Sequence, residues 1–143
     1  MQSPTDMARG LSLASIPTWQ KRNNHAGHVI CITQLVDGDG ITQPGLTVEL
    51  EMKAPVFAER CYYLFSMFRL EHGKRKRLYQ LEVQPQGKRT HHAVIPIYGP
   101  HEHLGDEEPI AVTDTTVTCD NWAAGWLYFC SQTGIVHTTV NAP

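Results

Sequence analysis

Leu46, Val48, Leu50 and Met52 alternate with Thr47, Glu49, Glu51 and Lys53, the period-two pattern of a strand with one buried and one wet face. Before it, His28 to Val36 is rich in β-branched residues and runs into Asp37-Gly38-Asp39-Gly40, so a strand followed by a turn is expected. Pro55 ends the alternating strand. The run Cys61-Tyr62-Tyr63-Leu64-Phe65-Ser66-Met67-Phe68 is apolar on both faces, as a central strand covered from two sides would be, although a buried helix has the same pattern. Its density of aromatics favours the strand. His72-Gly73-Lys74 then predicts a hairpin into a strand from Arg77 to Val83, and Gln84-Pro85-Gln86-Gly87 predicts a second turn. A third strand is expected over His91 to Tyr98, at an edge or a bulge because Pro96 cannot donate to a ladder. A further short strand fits Ile110 to Thr118.

The period changes after Asp120. Trp122, Ala123, Trp126, Leu127 and Cys130 recur at helical spacing, Asp120 can serve as a cap, and Gly134 followed by Ile135 suits a helix end. A helix from Asn121 to Gln132 is therefore expected, with Gly125 weakening it by about 1 kcal/mol relative to alanine. Residues 1–27 show no sustained period and are rich in Ser, Thr, Pro, Asn and Gly, which predicts a loosely ordered N-terminal arm before a single domain over 28–143. The fold class expected is α+β: an antiparallel sheet of five to six strands built around a central meander, with one C-terminal helix packed on a face.

Composition narrows the class without naming an activity. A chain of 143 residues with 41% hydrophobic and 18% charged residues suits one globular domain, and no apolar run approaches the ~20 residues needed to cross a bilayer. Asp6 and Arg9 interrupt what would be the apolar core of an export signal, so a cytoplasmic protein with no membrane association is expected. Cys31, Cys61, Cys119 and Cys130 form no C-x-x-C pair, and buried thiols in a reducing cytosol are the favoured reading, with disulfides the remaining one.

Charge is distributed unevenly. Arg69, Lys74, Arg75, Lys76, Arg77, Lys88 and Arg89 are seven of the 12 basic residues, and clustered on turns they could neutralise phosphates without reading sequence. The next segment is acidic and carries the histidines: His101 and His103, two apart, point the same way on an extended stretch, with Asp106, Glu107 and Glu108 following. An imidazole titrates near neutrality and can act as acid, base or metal ligand. Together these features suggest metal-independent phosphodiester cleavage of RNA, with His101 or His103 as acid or base. Glu107 or Glu108 would orient the imidazole, and Arg75, Arg77 or Arg89 would stabilise phosphorane charge. A competing mechanism makes His101, His103 and Glu107 or Glu108 ligands of a first-row divalent metal.

Two resemblances bear on this choice. The segment HHAVIPIYGPHEHLGDEEP followed by DNWAAGWLYFCSQTGI resembles small uncharacterised bacterial domains, some of which look like members of toxin–antitoxin pairs; this implies RNA or a cognate protein as partner and carries over no catalytic residue. His101-x-His103 with Glu107 or Glu108, and Gly134-x-x-His137-x-x-x-Asn141, are similar to the two metal motifs of cupins. That resemblance implies His101, His103, Glu107 or Glu108, and His137 as metal ligands, and it requires Trp126 to Cys130 to be extended. A non-catalytic module that binds protein or nucleic acid in a defence or mobile-element setting is the third class, and it accounts for the same charge map.

Overall fold

A computed structural model describes residues 7–53, 61–91 and 96–143, with backbone alone for 89–91. Its strands are β1 (Ser12–Leu13), β2 (Gln20–Lys21), β3 (His28–Val36), β4 (Thr42–Lys53), β5 (Tyr63–Glu71), β6 (Lys74–Val83), β7 (Arg89–His91), β8 (Ile97–Tyr98), β9 (His101–Leu104) and β10 (Ile110–Ala111); its helix is α1 (Trp122–Thr133). Eight strands form one antiparallel sheet in the order β1-β3-β4-β5-β6-β9-β10, with β2 also paired to β3, while β7 and β8 pair with each other in a separate ribbon. The α+β class and the meander follow the expectation, and the main sheet has more strands than the five to six foreseen.

The turns account for the meander. Asp37 Oδ1 accepts from the backbone N–H groups of Asp39 and Ile41 at 2.9 and 3.0 Å, closing the β3–β4 connection with the side-chain chemistry its sequence carries. His72 and Gly73, both with positive φ, form the two-residue primed turn that matches strand twist between β5 and β6. Opposite Met67 and Phe68 the β5–β6 register shifts, leaving Leu78 as an extra residue in β6. This bulge reverses the alternation, so Arg75 and Arg77 share a face with Gln80 and Glu82.

One face of the sheet is the core. Phe65, Met67, Tyr79, Leu81 and Val83 are buried there beneath Trp126 and Phe129 of α1. Gly125 sits where a Cβ would lie 3.2 Å from the Phe65 ring, so the glycine that weakens the helix permits its close approach to β5. Asn121, rather than Asp120, caps the helix by accepting from the Ala124 N–H at 3.1 Å, and Gly134 ends it in the left-handed conformation, φ 81°. The three tryptophans all hold the C-terminal stretch, since the indole N–H groups of Trp126, Trp122 and Trp19 donate to the carbonyls of Thr138, Val140 and Asn141 at 2.7, 2.7 and 3.1 Å.

Four expectations need correction. The stretch 7–27 is not a loose arm: Ala8 is buried, its N–H donates to the Thr133 carbonyl at 2.9 Å, and β1 and β2 extend the sheet along β3. The strand expected over His91 to Tyr98 is instead the β7–β8 ribbon, and part of that stretch, 92–95, lies outside the described residues. The extended stretch expected to carry His101 and His103 is β9, held between β6 and β10, whereas the strand expected over Ile110 to Thr118 is confined to Ile110–Ala111. Cys61 and Cys119 are joined in a disulfide across 58 residues, whereas Cys31 and Cys130 are buried free thiols. The pairing ties the start of β5 to the approach to α1.

Candidate functional site

Pairing in register places ionisable side chains, separated by apolar ones, in a row across the sheet face opposite α1. Ile30 of β3 faces Glu51 of β4, Glu51 faces Leu64 of β5, Leu64 faces Glu82 of β6, and Glu82 faces His101 of β9. Two carboxylates therefore lie two strands apart, roughly 10 Å at ordinary strand spacing. Each has an imidazole partner.

At one end of the row His101 is fully buried, with Nε2 3.1 Å from Glu82 Oε2 and Nδ1 3.2 Å from the Gly99 carbonyl. Burial would push the Glu82 carboxyl up, but the hydrogen bond and charge of His101, with the Gln84 amide and His103 behind them, hold it below the usual carboxylate range. His103 is also buried and meets the His101 ring edge-on at 5.1 Å. Glu82, not Glu107 or Glu108, is thus the carboxylate on His101. Glu107 and Glu108 are exposed on the β9–β10 turn.

At the other end Glu51 is 3% exposed and fully engaged. Its Oε2 lies 2.6 Å from His28 Nδ1 and its Oε1 accepts from Arg22 Nη1 at 2.6 Å. The β2–β3 loop brings a second imidazole here. The Arg22 N–H donates to the His28 carbonyl at 3.0 Å and the His28 N–H to the His25 carbonyl at 3.1 Å; Asn24 and Gly27 supply the positive φ that so tight a loop needs. His25 then meets His28 edge-on, ring centroids 5.7 Å apart.

Both rings have the same tautomer imposed on them. His25 Nδ1 lies 2.9 Å from the Asn23 carbonyl, and a carbonyl can only accept, so the proton sits on Nδ1 and the basic lone pair on Nε2. Glu51 does the same for His28. Beside them lies an open cavity of about 800 Å³ lined by Arg22, His25 and His28, and Lys53 is the cross-strand partner of His28. Tyr62 packs on His28 at 5.6 Å. Its phenol is pushed up to about 12 by burial and then by Glu82 and Glu51, so it is protonated, a donor, at neutral pH.

The cationic residues named from sequence divide. Arg69, Lys74, Arg75, Lys76 and Arg77 belong to the β5–β6 hairpin, whereas exposed Lys88 and the backbone of Arg89 lie past the far end of β6; the Arg89 side chain is outside the described residues. Arg75 donates to Glu49 at 2.9 Å and stacks on Phe68 at 4.0 Å, Lys76 lies 3.8 Å from Glu71, and Arg77 donates to the Gly105 carbonyl at 3.1 Å. A hollow of about 450 Å³ brings Arg69, Lys76 and Arg77 together with Glu107. His101 and His103 do not line it.

For the metal alternative, His137 is exposed beyond α1, and among the described residues no three His, Cys, Asp or Glu side chains gather as ligands. The set His101, His103, Glu107 and His137 is therefore not assembled. Trp126 to Cys130 are helical, where the cupin resemblance requires an extended segment. Among the described residues no helix is long and apolar enough to cross a membrane. No family model matches the chain, and neither a curated protein nor a solved structure matches it.

His25, His28 and Glu51 were not singled out from sequence. The spacing His25-x-x-His28 was visible, but Glu51 read as one of several wet-face residues. Its burial depends on Arg22 and His28 folding over it.

Proposed function

We propose that this is an RNA-directed protein of toxin-like character that cleaves phosphodiesters without a metal cofactor, and that His25 and His28 are its acid–base pair. The observation that carries the reading is the geometry of two imidazoles, 5.7 Å apart, each with Nδ1 engaged and Nε2 available as the working nitrogen. In the cleavage step His28 Nε2 takes the proton of the ribose 2′-hydroxyl as its oxygen attacks phosphorus. Glu51 stabilises the imidazolium that forms, as a carboxylate behind a catalytic imidazole does. Protonated His25 gives its proton to the departing 5′-oxygen, so the products are a 2′,3′-cyclic phosphate and a 5′-hydroxyl. Arg22 and Lys53 supply positive charge for the phosphorane oxygens. His101 and His103 are then structural in this reading, since the first is fully buried and bound at both nitrogens.

The Cys61–Cys119 disulfide supports action in an oxidising compartment rather than the cytoplasmic location expected from sequence. The test is incubation with a single-stranded RNA and its 2′-O-methyl counterpart, with and without EDTA. The expected result is EDTA-insensitive cleavage of RNA alone, leaving cyclic phosphate ends. His25→Ala and His28→Ala should each lower the rate at least about 10²-fold, and the pH–rate profile should be bell-shaped. Absence of cleavage would overturn the reading; salt-sensitive binding without turnover would leave a non-catalytic module.

A further inference from the structure

Packed tyrosines in this chain have fixed acceptors, with one exception. Tyr63 donates to the Cys119 carbonyl, and Tyr79 and Tyr128 donate to Glu102 at 3.2 and 2.5 Å, as buried phenols usually do. Tyr62 is half-buried, yet among the described residues its hydroxyl makes no hydrogen bond. Its place is nonetheless well fixed. The Lys53 N–H donates to the Tyr62 carbonyl at 3.1 Å, the ring packs on His28 at 5.6 Å, and the preceding residue, Cys61, is held by its disulfide. Leu64 is paired with Glu51 on one side and Glu82 on the other, and Tyr62, two residues earlier, shares its face. Neither carboxylate claims the phenol, because Glu51 is engaged by Arg22 and His28 and Glu82 by His101 and the Gln84 amide. Those same partners offset both negative charges.

An idle donor beside a working imidazole suits one task. We infer that Tyr62 is a third catalytic group of this site, its hydroxyl donating a hydrogen bond to a non-bridging oxygen of the phosphorane formed when His28 takes the 2′-hydroxyl proton. The inference rests on the RNA-cleavage reading and adds a directional donor to the charges of Arg22 and Lys53. Arg22, like Glu51 and Glu82, acts on the phenol, so the hydroxyl and the guanidinium share one neighbourhood. The phenol keeps its proton throughout. Its effect on rate arises because those oxygens carry more charge in the phosphorane than in the diester, so the bond strengthens as the barrier is climbed.

The experiment compares the full chain with Tyr62→Phe, which keeps the ring against His28 and removes only the hydroxyl. Turnover of single-stranded RNA should fall about 10²-fold in kcat with KM little changed. Calorimetric titration supplies a readout that needs no turnover, using the uridine–vanadate complex as a mimic of the phosphorane and uridine 3′-phosphate as the ground state. Tyr62→Phe should weaken the vanadate complex at least about tenfold more than it weakens the 3′-phosphate. Circular dichroism checks the fold, and the NMR titration of the His28 ring should be the same in both proteins. A Tyr62→Phe protein that cleaves and binds as the parent does would leave the ring as packing alone and overturn the inference, with the two-histidine reading intact. If the parent cleaves no RNA, that reading fails, and the vanadate comparison still decides: selective loss in Tyr62→Phe supports an oxyanion donor, whereas equal binding, or no binding by the parent, overturns it.

Discussion

Replacing Glu51 with glutamine tests the central feature of the candidate site with little change of shape. Both carboxylate oxygens are used, one by Arg22 and one by His28, each at 2.6 Å. An amide keeps one acceptor and turns the other atom into a donor, which would face a donor from Arg22 or His28. A charge-assisted hydrogen bond contributes about 1.5–3 kcal/mol. The side chains of Arg22 and His28 retain 39% and 20% exposure, so water offsets part of the loss and the lower half of that range, roughly 1.5–2 kcal/mol, is expected. For a domain of this size that corresponds to a fall in Tm of about 3–8 °C. The control is Glu49→Gln, whose partner Arg75 is 52% exposed; it should lose less than about 1 kcal/mol. Urea denaturation followed by circular dichroism measures both. If Glu51→Gln and Glu49→Gln destabilise equally, or if Glu51→Gln stays within about 0.5 kcal/mol of the parent, Glu51 is not the buried hub described here. RNA cleavage by Glu51→Gln should also fall about 10²-fold through loss of the His28 tautomer.

Other outcomes follow from the packing and the titrating groups. Gly125→Ala gains about 1 kcal/mol of helix propensity but drives a methyl to 3.2 Å from the buried Phe65 ring. Overpacking of about 1–3 kcal/mol should win, and denaturant midpoints would reveal the opposite sign if the helix can shift. Glu82 has its carboxyl held low in the folded state, so its stabilising contribution is present above the unfolded value of 4.5 and is lost as pH falls through the folded value. Acid titration of stability should show a decline in that window that is blunted in Glu82→Gln. Alkylation under denaturing, non-reducing conditions should modify two thiols. In the native protein both should react slowly, because burial pushes the Cys31 thiol up to about 11 and Cys130 up to about 12. Reducing the disulfide, which spans 58 residues, should lower stability by roughly 4 kcal/mol.

The meander was legible because its signals are local. Alternation at Leu46 to Met52, the Asp-Gly turn and the His72-Gly73 hairpin each specify a neighbour a few residues away. The helix was legible for the same reason, down to Gly134. What escaped depended on partners distant in sequence. Nothing near Cys61 points to Cys119, and nothing near Ser12 or Gln20 reveals that β3 has an edge to accept them. The histidine segment shows the limit most clearly: His101-x-His103 has turn residues on both sides, and only the free ladder of β6 makes it a strand. Its imidazoles were drawn toward Glu107 by proximity in sequence, whereas the register delivers Glu82.

The tail that follows α1 has no regular secondary structure, yet three of its carbonyls are occupied by indoles from the helix and from the segment before β2. Because the chain has three tryptophans, its whole indole emission comes from rings hydrogen-bonded to this one stretch. Fluorescence of this protein therefore reports whether the tail is seated, and a red shift that precedes the loss of far-ultraviolet dichroism would mark a clasp releasing while the sheet behind it stays intact.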